Sequence, residues 1–217
     1  MKKTSPFFQS KAMAIILLAF AFALIYNPFT KFPITFIAIS CYILGVTFFI
    51  EGNLRSLQFK KIRPKDLVII LLLYAALEMF MDFAVQPAVS KLLNEPVDFS
   101  AFESIKGNFK KYLKYLIFMW ISAAFGEELL FRAFAFAQLK KVLGSSKPIL
   151  IFGSAVLFAL PHLYQGTSGL IMTFLFGLAF AFIFAKFQNI WVNIIIHGLI
   201  DTVFLTLAYF GTLSFYA

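Results

Sequence analysis

Eight ionisable side chains interrupt segments that are otherwise apolar, and they include both histidines of the chain. They are Glu78, Asp82, Glu127, Glu128, Arg132, His162, His197 and Asp201. A charge at the centre of a bilayer costs ~2.5–3.5 kcal/mol on insertion scales, so such residues face a bundle interior, find partners and usually mark function. Carboxylates and imidazoles in one place can transfer protons, activate water or bind a metal ion.

The first motif is the segment Gly126-Glu127-Glu128-Leu129-Leu130-Phe131-Arg132. On a helix Glu128 and Arg132 are one turn apart on a single face, where a bidentate pair could form and remove most of the cost of burying both charges. Glu127 is rotated by about 100° from Glu128, stays outside that pair and could point into a cavity. The alternative interpretation is a structural ion pair beside a protonated Glu127.

Two further motifs carry the histidines. His162 follows a proline at the end of an apolar run, and that proline would kink the helix or free a carbonyl group. Asn193, His197 and Asp201 are spaced i, i+4, i+8 and form a polar stripe on one face of the last helix. The competing interpretations are an interfacial histidine at position 162 and a stripe that serves only as interhelical hydrogen bonding, worth ~0.6 kcal/mol per contact.

The composition of the chain requires a membrane around these motifs. Hydrophobic residues make up 61% of the 217 residues and charged residues 13%, whereas soluble domains have roughly 45–50% and 25%. Such a chain is neither soluble nor disordered, and the single cysteine, Cys41, excludes a disulfide-stapled scaffold. The net charge of +9 indicates basic loops that face anionic membrane lipids, and nucleic acid is not an expected partner.

Seven apolar blocks approach the ~20 residues that a transmembrane helix needs. They cover about 12–26, 34–50, 67–88, 116–139, 148–163, 170–184 and 190–210. The first block is predicted to be a retained helix and not a signal peptide. The less apolar stretch 91–114 is predicted to be a loop and an amphipathic approach helix. The predicted fold is all-α: one integral membrane domain over residues 1–217, a polytopic bundle of seven helices, or eight if the approach segment inserts.

The distribution of lysine and arginine predicts the orientation of this bundle. With the N-terminus in the cytoplasm, 12 basic residues face inward and six face outward. The inward set is Lys2, Lys3, Lys11, Arg55, Lys60, Lys61, Arg63, Lys65, Lys140, Lys141, Lys147 and Lys186, and the outward set is Lys31, Lys91, Lys106, Lys110, Lys111 and Lys114. The expected location is therefore a cell membrane, crossed several times, and the small size with short loops favours a bacterial source.

The three motifs could meet in one cavity near the middle of the membrane. At 1.5 Å per residue, Glu127, His162 and His197 lie about 12–21 Å from the cytoplasmic ends of their helices. A carboxylate with an imidazole can deprotonate a water molecule that attacks an amide carbonyl, and a second imidazole can stabilise the oxyanion. The same three residues are also a zinc ligand set. Both metal-free and metal-assisted attack by water fit these residues.

The three motifs occur in one order on separate apolar helices: Glu127-Glu128-x-x-x-Arg132, Phe158-x-x-x-His162 and His197-x-x-x-Asp201. This ordered set resembles the CAAX protease and bacteriocin-processing family, also called CPBP or Abi, of intramembrane proteases. The resemblance covers roughly residues 123–201. It implies a catalytic core over 111–217, preceded by N-terminal helices and the approach segment over 1–110.

The resemblance also implies roles for the residues of the motifs. Glu127 would be the general base that activates water, with His162 assisting, while Glu128 and Arg132 would hold the geometry and charge of the site. The histidine and aspartate of the third motif would stabilise the oxyanion. The family often has Asn at the last position, so Asp201 favours an orienting or metal-binding role. Since the family is described as metal-independent and of the glutamate type, no cofactor is expected, with zinc as the alternative.

The function that the resemblance implies is an intramembrane endopeptidase. Its substrate would be a hydrophobic or membrane-associated peptide or a lipid-modified protein: a bacteriocin or pheromone precursor, or a CAAX-like tail. The alternative is a non-proteolytic scaffold, self-immunity or regulatory protein that binds a sensor kinase or receptor. A transporter with proton relays ranks last because no inverted repeat is apparent. The residues predicted to support the site, as polar lining, counter-charges or packing, are Glu78, Asp82, Phe158 and Asn193.

Overall fold

A computed structural model describes residues 6–95 and 99–213, and every regular element in those ranges is helical. The predicted all-α fold is therefore confirmed. The α-helices are α1 (Lys11–Ile25), α2 (Ile34–Glu51), α3 (Pro64–Phe80), α4 (Gln86–Leu93), α5 (Phe109–Phe118), α6 (Ala135–Leu143), α7 (Lys147–Ala159), α8 (Gly166–Phe187) and α9 (Ile190–Phe210). Lys2 and Lys3, which were counted for the orientation, lie outside the described residues.

Three π-helical segments join these helices into longer rods. Met81–Val85 connects α3 to α4, and Met119–Glu127 with Leu129–Phe134 connects α5 to α6. One helical run therefore extends over 109–143. The predicted approach helix is not a separate element in the described part of 91–114, which holds the end of α4, a 3₁₀ turn (Ser100–Ile105) and the first turns of α5.

Four helical stretches of the described chain are long and apolar enough to cross a membrane. They are Ile34–Glu51, Pro64–Leu93, Lys147–Phe187 and Ile190–Phe210, and α1 is a shorter apolar helix. Large apolar side chains such as Phe29 and Leu92 are exposed on the outside, where lipid would cover them. The chain thus has the helices of a membrane protein, while the predicted count of seven crossings is not confirmed.

The helix ends follow local sequence signals. The hydroxyl of Ser10 accepts a hydrogen bond from the Met13 amide at 3.2 Å at the start of α1, as expected of an N-cap serine. The last helix is capped in the same way by Asn189. Helix α2 ends where Gly52 adopts a φ of +68°, a left-handed conformation that glycine tolerates without a steric penalty.

The helical run 109–143 lies at the centre of the bundle. Its residues Leu129, Leu130, Phe131 and Phe134 are at most 1% exposed and belong to the main hydrophobic core, together with residues of α1, α2, α7 and α8. Helix α9 packs against the π-helical segment Met119–Glu127 from another side. The central run therefore holds the first motif where the helices that carry the other two motifs can reach it.

Candidate active site

The first motif lies in an unusual stretch of helix. Glu127 is the last residue of one π-helical segment, Arg132 belongs to the next, and Glu128 separates the two. π-helical turns are rare and are frequently found at functional sites. Two consecutive segments at Glu127 and Glu128 distinguish this part of the central helix from the regular α-helices around it.

Glu128 is fully buried and is the centre of a polar cluster. Its Oε1 accepts a hydrogen bond from Nδ1 of His197 at 2.9 Å, and its Oε2 accepts one from Nδ2 of Asn193 at 3.2 Å. The Asn193 amide also donates to the carbonyl oxygen of Phe180 at 2.8 Å. The polar stripe of α9 is thus held to the central helix through Glu128.

Arg132 is also fully buried and pairs with Glu128, as the spacing predicts, but the pair is not bidentate. Nη1 lies 3.2 Å from Oε1 of Glu128, and none of the three guanidinium nitrogens makes a hydrogen bond to a described residue. The oxygens of Glu128 are already turned toward α9. The guanidinium instead lies over the rings of Phe158, at 4.0 Å, and Phe180, at 5.1 Å, where cation–π attraction contributes to its stabilisation.

His197 lies between two carboxylates. Because a carboxylate only accepts hydrogen bonds, the contact with Glu128 places a proton on Nδ1. On the other side Nε2 is 3.8 Å from Oδ2 of Asp201, which is too long for a direct hydrogen bond. The ring also stacks on Phe180, with 5.0 Å between centroids. These contacts fix the plane of the imidazole.

His162 approaches the same region from the turn that follows α7. Its Nδ1 is 2.9 Å from the carbonyl oxygen of Phe158, and since a carbonyl only accepts, Nδ1 carries the proton and Nε2 is left with a lone pair. The ring of Tyr164 stacks on His162, with 6.1 Å between centroids. The second motif therefore presents an imidazole with one nitrogen uncommitted.

Phe158 connects the second motif to the other two. Its ring lies beneath the Arg132 guanidinium, packs on His162 with centroids 5.3 Å apart and approaches His197 at 6.3 Å. It is 4% exposed. The predicted supporting role of Phe158 thus corresponds to a packing position shared by all three motifs.

Glu127 differs from its neighbour. It is only partly buried and makes no hydrogen bond or ion pair with a described residue. It nevertheless lies close enough to His197, Asp201 and Tyr164 to interact electrostatically with them. No direct bond joins it to His162. Glu127 is the carboxylate of the first motif that has hydrogen-bonding capacity to spare.

Glu78 and Asp82 approach the site from the side of α3. Both oxygens of Glu78 are buried without a hydrogen-bond partner among the described residues. The carboxylate lies close enough to Asp82 and Asp201 to interact electrostatically, and Asp82 falls in the π-helical segment Met81–Val85. These two residues therefore adjoin the end of the polar stripe of α9.

Two glycines allow the helices to approach at the site. A Cβ on Gly198, next to His197, would lie 2.6 Å from the ring of Trp120, and a Cβ on Gly126 would lie 2.9 Å from Cβ of Phe36. Both distances are shorter than side-chain carbons tolerate. The indole Nε1–H of Trp120 donates to Thr202 at 3.1 Å, which fixes α9 beside the central helix.

Phe180 and Tyr164 are the site residues that the sequence did not reveal. Phe180 supplies both a carbonyl acceptor for Asn193 and a ring for Arg132 and His197. It is one of 31 phenylalanines in an apolar helix, so composition and spacing gave no signal for it. Tyr164 lies two residues after His162, and this proximity was the one available hint.

The zinc alternative requires Glu127, His162 and His197 to act as ligands of one ion. Across 6–95 and 99–213, no group of three or more His, Cys, Asp or Glu side chains is arranged to hold a metal ion. Nδ1 of His162 is engaged by Phe158 and Nδ1 of His197 by Glu128, so only Nε2 of each ring is available to a ligand. In this geometry Glu127, His162 and His197 are therefore not gathered as ligands of one ion.

Residues 109–203 match the family model described as type II CAAX prenyl endopeptidase Rce1-like. The predicted resemblance to the CAAX protease family is confirmed. The match begins at the first residue of α5 and extends beyond Asp201, so it contains all three motifs. No curated protein and no solved structure matches the chain. The Rce1-like domain and the apolar helices indicate a membrane protein and support, in general terms, an intramembrane endopeptidase.

Proposed function

We propose that this protein hydrolyses a peptide bond within the membrane, with Glu127 as the general base. The observation that carries the proposal is the contrast between the two adjacent glutamates. Both oxygens of Glu128 are engaged, by hydrogen bonds from His197 and Asn193 and by the ion pair with Arg132, whereas Glu127 makes no hydrogen bond in the described structure. A general base must have a free acceptor within reach of the proton that it removes.

The proposed reaction begins with a water molecule held by Glu127 and by the free Nε2 of His162. The water oxygen attacks the carbonyl carbon of the scissile bond while its proton passes to the Glu127 carboxylate. The tetrahedral intermediate collapses when Glu127 returns this proton to the amide nitrogen, and the C–N bond breaks to give a carboxylic acid and an amine. Such proton transfers contribute typically 10²–10⁴-fold to the rate.

The other motif residues are proposed to position the groups that react. Nδ1 of His197 donates to Glu128, so Nε2 can donate to a developing oxyanion when the ring is a doubly protonated imidazolium, a charge state that the neighbouring carboxylates of Glu128 and Asp201 favour. Asp201, at 3.8 Å from that nitrogen, would orient the ring and attract its proton. In this arrangement Asp201 is a positioning residue, since a carboxylate cannot itself donate to an oxyanion.

The proposed substrates are hydrophobic or lipid-modified peptides, for example a prenylated CAAX-like tail or a bacteriocin or pheromone precursor. The match to a CAAX prenyl endopeptidase family and the apolar surroundings of the site support this class. A hydrophilic peptide would have to leave water to reach residues enclosed by phenylalanines. The alternative of a non-proteolytic scaffold makes the opposite prediction, namely no cleavage at all.

The test is a cleavage assay with purified protein in lipid vesicles and two internally quenched peptides of equal sequence, with and without a farnesyl group. Glu127→Gln is expected to lower kcat by about 10²–10⁴-fold. Glu103→Gln, which removes the same charge from an exposed position outside the site, serves as the matched control. Full activity of Glu127→Gln would overturn the proposed base, and an inactive wild-type protein on both peptides would favour the scaffold.

We also propose that the N-terminus is cytoplasmic, as the distribution of basic residues predicts. Helix α1 begins at the end of the bundle where Phe8 packs on Phe49 near the end of α2, while α9 ends at the opposite end, where Tyr209 accepts a hydrogen bond from Gly107. C-terminal fusions to alkaline phosphatase and to a green fluorescent protein test this. An active phosphatase and a dark fluorophore would agree with an external C-terminus.

A further inference from the structure

A cleft of about 770 Å³ lies at the end of the bundle where α6 and α8 end and α7 begins. Its rim carries four lysines: Lys140, Lys141, Lys147 and Lys186. The remaining charged lining residue is Glu51 at the end of α2, so the formal charge of the lining is +3. None of these residues belongs to the motifs of the candidate active site.

The cationic groups on this rim are largely unneutralised. Lys140 and Lys147 are exposed and make no hydrogen bond or ion pair with another described residue. Lys141 is half-buried, donates to Gln138 at 3.2 Å and interacts with the single acidic lining residue, Glu51. The cleft therefore presents positive charge to whatever enters it.

Helix electrostatics accounts for part of this cluster but not for all of it. Lys140 and Lys141 lie in the last turn of α6, and Lys186 lies in the last turn of α8, where the helix macrodipole favours a cation. Lys147 is the first residue of α7, where the macrodipole disfavours a cation. An anion bound in the cleft would stabilise Lys147 in this position.

The floor of the cleft has a different character from its rim. It includes the buried apolar residues Ala133, Phe136, Phe184 and Ala185. The rings of Phe136 and Phe184 pack edge to face, with 5.1 Å between centroids. A small hydrated anion would gain nothing from such a floor, whereas a ligand with a charged head and an apolar body would contact both parts.

We propose that this cleft binds the headgroup of an anionic phospholipid. The phosphate would lie among the rim lysines, and the glycerol and first acyl carbons would lie on the floor. Basic pockets between transmembrane helices are sites of this kind, and the volume falls within the usual range for small-molecule clefts. The proposal does not depend on proteolysis, because the cleft shares no residue with the catalytic motifs.

A smaller cleft of about 380 Å³ at the same end has less free positive charge. It is lined by Lys60, Lys61 and Arg63, but also by Asp66. Arg63 forms two side-chain hydrogen bonds with Asp66, at 3.0 and 3.1 Å, and these raise the pKa of the guanidinium. The charge of Arg63 is thus compensated within the protein, and the formal charge of this lining is +2, against +3 for the larger cleft.

The test measures retention of lipid by the full chain. Detergent-solubilised protein is titrated with dioleoylphosphatidylglycerol, dioleoylphosphatidylcholine or inorganic phosphate, and bound lipid is counted by native mass spectrometry. The triple variant K140Q/K147Q/K186Q is expected to weaken phosphatidylglycerol binding on the order of 100-fold. K11Q/R55Q/K65Q removes three positive charges at the same end from exposed residues that do not line the cleft, and it is expected to bind like the wild type.

Each outcome decides the proposal. Selective retention of phosphatidylglycerol that only K140Q/K147Q/K186Q loses supports the site. Equal losses in both triple variants would mean diffuse surface attraction and overturn it, as would equal binding of phosphatidylcholine. Displacement of the lipid by millimolar inorganic phosphate would overturn the lipid as the ligand. K140R/K147R/K186R keeps the charge, so its retention of lipid separates loss of binding from loss of folding.

Discussion

Two adjacent glutamates at the centre of the molecule have opposite surroundings. Glu128 is completely buried and is contacted by Arg132, His197 and Asn193. Glu127, one residue earlier, is partly accessible and makes no hydrogen bond in the described structure. Two glutamates that are neighbours in the sequence thus have different roles. One carboxylate joins the central helix to α9, and the other is available for chemistry.

The difference arises from the helices around them. Helix α9 brings Asn193 and His197 to one side of the central run, because Gly198 lets it approach the ring of Trp120. That side is the one that Glu128 faces. Glu127 ends the preceding π-helical segment and makes no hydrogen bond to α9, although it lies near His197 and Asp201. Replacing each glutamate by glutamine removes its charge with little change in shape. These variants therefore test directly which glutamate has the structural role.

Glu128→Gln is expected to have the largest effect on stability. It leaves the Arg132 guanidinium buried without a counter-charge, and breaking a buried ion pair in this way costs about 3–5 kcal/mol. Glu127→Gln is the matched control and should change stability by about 1 kcal/mol or less, because it breaks no hydrogen bond. Unfolding of both proteins in mixed micelles measures the two values. Similar losses of stability in both variants would show that the two glutamates do not differ in their structural role.

The double variant Glu128→Leu/Arg132→Met sharpens the comparison. A buried ion pair replaced by apolar residues of similar volume is often neutral for stability or better. Here His197 and Asn193 would lose an acceptor, at about 1–2 kcal/mol, so the double variant should lie within about 2 kcal/mol of the wild type and above Glu128→Gln. Unfolding in the same micelles ranks the three proteins. A double variant less stable than Glu128→Gln would show that the cluster needs the carboxylate for more than its charge.

Much of this arrangement could be predicted from the sequence, because polar residues in apolar helices are few. The members of the site followed from two patterns. One is the spacing of Glu128 and Arg132, and the other is the stripe of Asn193, His197 and Asp201. The bidentate geometry was wrong, since spacing along one helix cannot show that α9 has taken the oxygens of Glu128.

Other features could not be predicted from sequence patterns, for physical reasons. The π-helical segments around Glu128 depend on packing with neighbouring helices and have no fixed signature. Phe180 acts partly through its backbone carbonyl, which every residue has. Counting apolar blocks could not give the number of membrane crossings either, because the central helix that carries the first motif also contains charged residues.

Asn193→Ala tests the weaker side of the Glu128 cluster. The amide donates to Oε2 of Glu128 and to the carbonyl oxygen of Phe180, so its loss leaves a buried carboxylate oxygen and a buried carbonyl with one donor fewer. We expect a loss of about 1–2 kcal/mol, smaller than for Glu128→Gln, because Arg132 and His197 still face Glu128. Micelle unfolding measures it, with Thr212→Ala at an exposed helix end as the control. If the stability of Asn193→Ala is unchanged, the stabilising cluster consists of Glu128, Arg132 and His197 alone.

Asp201→Asn should have the smallest effect on stability, within about 1 kcal/mol. At 3.8 Å from Nε2 of His197, the carboxylate makes no hydrogen bond that the substitution could break. Its charge attracts His197 and repels Glu78, so removing it loses one interaction and relieves another. The same micelle unfolding measures it beside Glu128→Gln. A loss above 2 kcal/mol would place Asp201 with Glu128 among the residues that stabilise the bundle. The whole polar stripe of α9 would then be structural, and Glu127 would be separated from it as a reacting group.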